Sequence, residues 1–228
     1  MYTLYYVIYY TQRGITMILD YLTDLVIGFI FTIFFLSVGF ILALNFKTLY
    51  YNDVDLLNIE ASASLDKEVI KKNYDEIIEY IQPTNKDELH LSNFTLSESA
   101  AKHFAEIKNT YGIIYLLAIF SGITALVIVI LKVRNRDYQF LLLSSIIASS
   151  IPFVLLGSFV TKFNTSFSKL CSSVFNKNTW KLSSKLDPIV NIFPERYFQH
   201  SAIAVFSFAV ICGLCLLVIW KGLKQKNA

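Results

Sequence analysis

Four stretches of this chain contain no Asp, Glu, Lys or Arg: 25–46, 109–131, 138–161 and 197–220. Each is mostly apolar and reaches the roughly 20 residues a helix needs to cross a hydrocarbon layer about 30 Å thick. Inside that layer no water can satisfy backbone N–H and C=O groups. The chain is therefore expected to be an all-α membrane protein with four transmembrane helices. Composition agrees, because 55% of the 228 residues are hydrophobic and 16% charged, whereas a soluble domain carries about a quarter charged. A soluble enzyme, a nucleic-acid binder and a disordered regulator are excluded.

Orientation follows from the cations. The link 132–137 holds Lys132, Arg134 and Arg136, and the tail 221–228 holds Lys221, Lys224 and Lys226 without an acid. Short loops rich in Lys and Arg stay in the cytoplasm. The expected plan is a cytoplasmic segment 1–24, then a first span 25–46 and an outer loop 47–108. A second span 109–131, the cytoplasmic link 132–137 and a third span 138–161 follow. The outer loop 162–196, a fourth span 197–220 and the cytoplasmic tail 221–228 complete it. The first outer loop sets seven lysines against twelve acids, net −5, and the second sets six basic residues against two acids, net +4. These opposite charges suggest that the two loops dock to form an extracellular cap.

Residues 1–10 are Tyr-rich, apolar and too short to span, and translation can start at Met1 or Met17. Asp20 and Asp24 precede the first span with no basic n-region or cleavage site, so that helix is expected to remain as an anchor. Cys212, Gly213 and Cys215 in the last span read as small packing residues. Cys171 is the one cysteine of the outer loops, which leaves no disulfide framework there.

The spans also limit function. Ion carriers need ionisable residues inside the membrane. His200, near the outer end of the last window, is the one candidate. Pro152 in the third span reads as a kink rather than a site. Any chemistry belongs at the outer face.

There, 65–82 has the apolar spacing of an amphipathic helix (Leu65, Val69, Ile70, Tyr74, Ile77, Ile78, Ile81), stopped by Pro83. Ser97 is a credible N-cap followed by Glu98, so a helix near 97–108 is expected, running on into the second span. At 1.5 Å per residue His103 then stands roughly 9 Å above Asn109, near the level of lipid glycerol esters. Glu106 and Ile107 flank it at i+3 and i+4, and Thr110, Ile114 and Leu117 continue that face downward. A titratable ring, a carboxylate able to orient it and an acyl-compatible stripe thus share one face. A histidine on a helix is by itself more often structural than catalytic. In the second loop Trp180, Tyr197 and Phe198 suit an interfacial belt. Asp187 and Arg196 are the charges expected to turn toward a site. No nucleophile elbow, metal-ligand cluster or phosphate-binding glycine loop is present.

Two stretches then carry a resemblance: L-x-x-F-T-L-S-E-x-x-x-x-H-F-x-E-I-K over 91–108, and N-x-W…D-P-I-V-x-I-x-P-E-x-x-F over 178–198. With four spans around them they resemble the lipoprotein intramolecular transacylases, integral membrane proteins of Gram-positive bacteria. The resemblance implies movement of the sn-2 acyl chain of a diacylglyceryl-cysteine lipoprotein onto that cysteine's own α-amine, giving a lyso-form lipoprotein. The partners implied are diacylglyceryl-modified lipoproteins and membrane lipid, with no nucleic acid. No cofactor is implied, because ester-to-amide exchange is downhill.

The family's outer histidine maps onto His103, with Glu106 as its catalytic neighbour. Lys108, Tyr111, Trp180, Asp187, Arg196 and His200 are the expected substrate-binding residues, with Arg196 and Lys108 candidates for the oxyanion. Relatives often carry a second histidine after a Phe of the second outer loop, where this chain has Ser168, and His200 is a possible substitute. Attack by the amine under general-base catalysis and an acyl-histidine intermediate both remain open. A non-enzymatic envelope scaffold binding a secreted partner and a lipid head-group hydrolase are the other readings.

Overall fold

A computed structural model describes residues 2–176 and 179–226, with side chains described from residue 17 through 225. Asn178, the first residue of the N-x-W stretch, and the side chains of residues 1–10 lie outside the described residues. Four helices are long and apolar enough to cross a membrane: Met17–Asn45, Glu98–Arg134, Gln139–Thr161 and Glu195–Gln225. No strand occurs among the described residues. The chain is therefore an all-α membrane protein built on four membrane-spanning helices.

Helix α1 covers Tyr2–Asn45. The charge-free window 25–46 falls almost wholly within this longer helix, which no proline interrupts over 2–24. Three short helices follow, α2 (Lys47–Leu56), α3 (Ile59–Ala63) and α4 (Lys67–Tyr80), of which only α4 matches the amphipathic signal. Asn58 and Ser64 flank α3 in the left-handed region (φ 50 and 54), where short polar side chains tolerate the reversal between helices. Helix α5 is one piece from Glu98 to Arg134. Its 37 residues extend about 55 Å, more than a bilayer core needs, so its charged first turns rise above its charge-free part.

Helix α6 (Gln139–Thr161) carries Pro152 in its interior, and α7 (Phe163–Val174) follows after the single residue Lys162. A 3-10 turn, Pro188–Ile192, precedes α8 (Glu195–Lys226). The most extensive helix contact is between α6 and α8, and α1 packs on α5, α6 and α8. A Cβ at Gly213 of α8 would lie 2.7 Å from Ser149 N of α6. Only glycine lets those backbones approach so closely. Of its neighbours read as small packing residues, Cys212 is half-buried and Cys215 is exposed.

The two long connections meet in one apolar core. Tyr50, Val54, Ile59, Ile70, Tyr74, Ile77, Ile78 and Ile81 of the first pack with Phe104, Tyr111, Ile189, Ile192 and Tyr197. Tyr50 and Tyr74 stack with centroids 3.8 Å apart, and the Tyr50 hydroxyl donates to the Ile192 carbonyl at 2.8 Å. Docking does not come from the opposite charges. Among the described residues no ion pair joins 47–108 to 162–196; Lys47, Lys67, Lys71 and Lys102 of the first loop pair with acids of the same loop, Lys47 with Asp75 at 3.0 Å. Exposed pairs of this kind contribute little, and burial of the aromatic and aliphatic surface holds the layer together.

Candidate functional site at the head of α5

Ser97 begins α5 as the sequence suggests, with extended backbone (ψ 162) and its hydroxyl accepting from Ala100 N at 3.1 Å. Less than two turns on, the His103 side chain is 13% exposed. Its ring meets the edge of Phe175, centroids 5.0 Å apart, and lies 6.3 Å from Phe104. Nδ1 of His103 is buried and has no hydrogen-bond partner. The nearest acid is Glu106, whose Oε2 is 3.9 Å from that nitrogen, too long for a hydrogen bond. Burial holds the His103 pKa below its ordinary value, and the Glu106 carboxylate opposes that shift.

Glu106 is itself held from the second loop. The Thr179 hydroxyl donates to Glu106 Oε2 at 2.7 Å, and Thr179 is 8% exposed. A line therefore runs from Thr179 through Glu106 to His103, bringing together side chains 73 positions apart in sequence. Thr179 and Phe175 are absent from the sequence-based set. Thr179 lies inside the N-x-W stretch but has no chemical signature of its own, and Phe175 reads as one aromatic among many.

The other expected residues divide. Lys108 projects about 140° around the helix from His103. Its Nζ lies 4.2 Å from the Tyr80 ring centroid and donates to the Asp87 carbonyl at 3.4 Å. Arg196 is exposed and donates to Gln199 Oε1 at 3.3 Å. Both candidate oxyanion partners are thus engaged away from the imidazole. Tyr111 is buried in the shared core, its oxygen accepting from Asn45 Nδ2 at 2.7 Å. Trp180 is half-buried beneath the Lys181 ammonium, 5.2 Å from the ring centroid.

Asp187 is buried, and its carboxylate takes both Ser97 N and Ser97 Oγ at 2.8 Å. It holds the start of α5 rather than facing open space. His200 is bound at Nδ1 by the buried carboxylate of Asp53, at 2.8 and 3.0 Å. Asp53 went unrecognised in the sequence, although Tyr50, Asp53 and Val54 share one helical face and all are buried. Ser168 is exposed on α7, and it is Phe175, seven residues later, that closes on His103. Among the described residues no three His, Cys, Asp or Glu side chains converge as metal ligands.

A mostly covered imidazole beside a tethered carboxylate is equipped to accept a proton and have the resulting cation stabilised. Against known proteins, the model of the family "Lipoprotein intramolecular transacylase Lit" matches residues 25–198. The chain is similar to the in meso structure of the membrane integral lipoprotein intramolecular transacylase Lit from Bacillus cereus. That match has TM-score 0.87 and 27% identity, covering 92% of this chain and 97% of that one. Structures of the same enzyme with one histidine changed to arginine or to alanine each match with TM-score 0.84 and 26% identity over 95% of this chain. They are covered over 96% and 98% of their own lengths. No curated protein sequence matches it.

Proposed function

This chain belongs to the lipoprotein intramolecular transacylase family, and on that premise we propose that His103 is the general base of its reaction, with Glu106 stabilising the imidazolium and Thr179 holding Glu106. The protein is a membrane acyltransferase acting on lipoproteins, moving an sn-2 acyl chain from the glyceryl group to the N-terminal amine of the same molecule. Donor and acceptor arrive joined, so orientation can supply several kcal/mol of the barrier before any side chain takes part. Proton transfer remains.

The α-amine attacks the ester carbonyl and forms the N–C bond while His103 Nε2 takes the proton from nitrogen. Nδ1, bearing its hydrogen, closes the 3.9 Å gap to Glu106 Oε2 as the ring becomes positive. The tetrahedral intermediate then breaks its C–O bond, and Nε2 returns the proton to the leaving glyceryl oxygen. One proton is taken up and one released, so the enzyme ends as it began. The observation that carries the assignment is the Thr179–Glu106–His103 line across two separate loops. Burial, which lowers the His103 pKa, supports it, because it favours the unprotonated ring that a base requires.

The orientation we favour puts both termini and the link 132–137 in the cytoplasm, the loop layer outside as an extracellular cap, and the charge-free windows in the bilayer. The Lys132, Arg134, Arg136 cluster and the tail lysines support it. Diacylglyceryl-modified lipoproteins reach His103 from the outer leaflet, with membrane lipid around α5 and α8. The decisive experiment is expression of wild type and His103→Ala in a host without other N-acylating activity, followed by mass spectrometry of a reporter lipopeptide. Wild type gives the lyso-form and the variant leaves the diacyl, free-amine form. An active His103→Ala would remove the assignment.

A further inference from the structure

The mechanism above makes no use of Asp187, yet this is among the most completely buried charged side chains of the chain, at 2% exposure. Removing a carboxylate from water is costly unless donors replace the lost hydration. Here they come from one residue: Ser97 N–H reaches Oδ1 and Ser97 Oγ–H reaches Oδ2, each at 2.8 Å. The same Ser97 oxygen accepts from Ala100 N at 3.1 Å, so the hydroxyl both donates to Asp187 and caps α5. A carboxylate at a helix N-terminus also meets the positive end of the backbone dipole. Asp187 in turn is fixed in its own loop, its N–H donating to the Ser183 carbonyl at 2.8 Å and its carbonyl accepting from Val190 N at 3.1 Å.

Three ties therefore join the second loop to the first turns of α5. Phe175 covers the His103 ring, Thr179 holds Glu106, and Asp187 holds Ser97. The first two touch the reacting group or its partner. The third touches neither, but it has two charge-assisted bonds to a single rigid point, six residues before His103, and is the strongest of the three. We infer that Asp187 is a positioning residue for His103: by gripping Ser97 it sets where the head of α5 stands against the second loop, so that Phe175 and Thr179 remain on His103 and Glu106. This rests on the reading of His103 as the base.

Positioning can be separated from mere structural support. Among the described residues, Glu106 on α5 is the charged group that faces His103, and the second loop contributes the uncharged Phe175 and Thr179. With Asp187→Ala the Ser97 N–H and hydroxyl lose their acceptor, the loop lifts, and water reaches the ring. The expected result is a fall in kcat per folded molecule on the order of 10²-fold, the effect of a displacement near 1 Å, with KM changed less. The lower bend of the acid limb of the pH–rate profile, set by His103 rather than by the attacking amine, should move up toward that of an ordinary imidazole, because the burial that lowers it has been relaxed. Asp187→Asn keeps the shape and one acceptor for Ser97 N–H but loses the charge assistance and the acceptor for Ser97 Oγ–H, so its rate should fall between those of wild type and Asp187→Ala.

The experiment measures the profile of lyso-lipoprotein formation for wild type, Asp187→Ala, Asp187→Asn and Ser97→Ala in membranes, normalised to folded enzyme, with His103→Ala beside them. Ser97→Ala removes the hydroxyl half of the clamp and should shift the limb the same way by less. It carries the test if Asp187→Ala does not accumulate. An unmoved limb, with activity lost only in proportion to folded protein, overturns the inference while leaving His103 in place. An Asn variant as active as wild type overturns it as well, because the grip on Ser97 is charge-assisted. Activity in His103→Ala removes the base assignment and this inference together.

Discussion

Two histidines meet a carboxylate in this protein, and they do so differently. His200 of α8 is gripped by Asp53 of α2 at 2.8 and 3.0 Å, with the Asp53 side chain 4% exposed. His103 of α5 stands 3.9 Å from a half-exposed Glu106 and leaves its buried Nδ1 without a partner. A buried donor without a partner is unfavourable, and native structures contain few. The closed pair is complete as it stands and ties the first loop to the last span. The open pair lacks one hydrogen bond, which it gains when the ring takes a proton. On the proposed reading, the tight pair is the structural one and the incomplete pair the chemical one.

The strongest way to break that contrast is to remove each ring. His103→Ala should lower transfer by on the order of 10² to 10⁴-fold, the usual contribution of a positioned base, with unchanged membrane insertion, read by lipopeptide mass spectrometry. His200→Ala should act on the fold instead, since it leaves Asp53 buried and unpaired. A loss of about 3–5 kcal/mol is expected for breaking such a pair, measured by thermal unfolding in detergent, with activity falling as folded protein falls. Asp53→Leu in that background should recover part of the stability. If His200→Ala were instead stable and dead, the two roles would have to be exchanged.

Smaller effects sharpen the same distinction. Thr179→Val keeps the shape but frees Glu106, and loss of one charge-assisted hydrogen bond of roughly 1.5 kcal/mol corresponds to about tenfold in rate. The pH dependence has a definite sign. On the proposed reading His103 must be unprotonated to act as base, and burial lowers its pKa. The attacking α-amine must be unprotonated too, with an ordinary pKa of about 8, so the acid limb bends twice; the lower bend, set by His103, should fall below the ordinary imidazole value of about 6.5, and a lower bend at or above that value would contradict the burial. Least affected should be Lys108→Ala, which loses a cation–π contact to Tyr80 of at most about 1 kcal/mol at an exposed site and leaves the pH profile unmoved.

Much of the architecture was legible without coordinates. The spans are written in composition because lipid cannot solvate charge, and Ser97 and the stripe of α4 follow local rules of capping and periodicity. Helices α2, α3 and α7 were not legible. They are short, and their formation depends on a core shared with distant residues such as Ile189 and Tyr197 rather than on a strong pattern of their own. Within the site, His103 and Glu106 could be paired because i,i+3 spacing on a helix is a geometric certainty. Lys108 and Arg196 could not be placed, since a long cationic side chain goes to whichever ring or carbonyl lies nearest. Asp187, expected to face substrate, faces Ser97.

The sequence by itself determined what the chain can live in and where its chemistry can lie: four helices in a bilayer, one imidazole and one carboxylate a turn apart at the head of the second. Those facts depend on neighbours within a single helix, whose spacing the backbone dictates. Only the tertiary structure decided which histidine is closed and which is open, because Asp53 and His200 are 147 positions apart and Thr179 and Glu106 are 73. Contacts at that separation form when loops share a core, and no local pattern of residues encodes them.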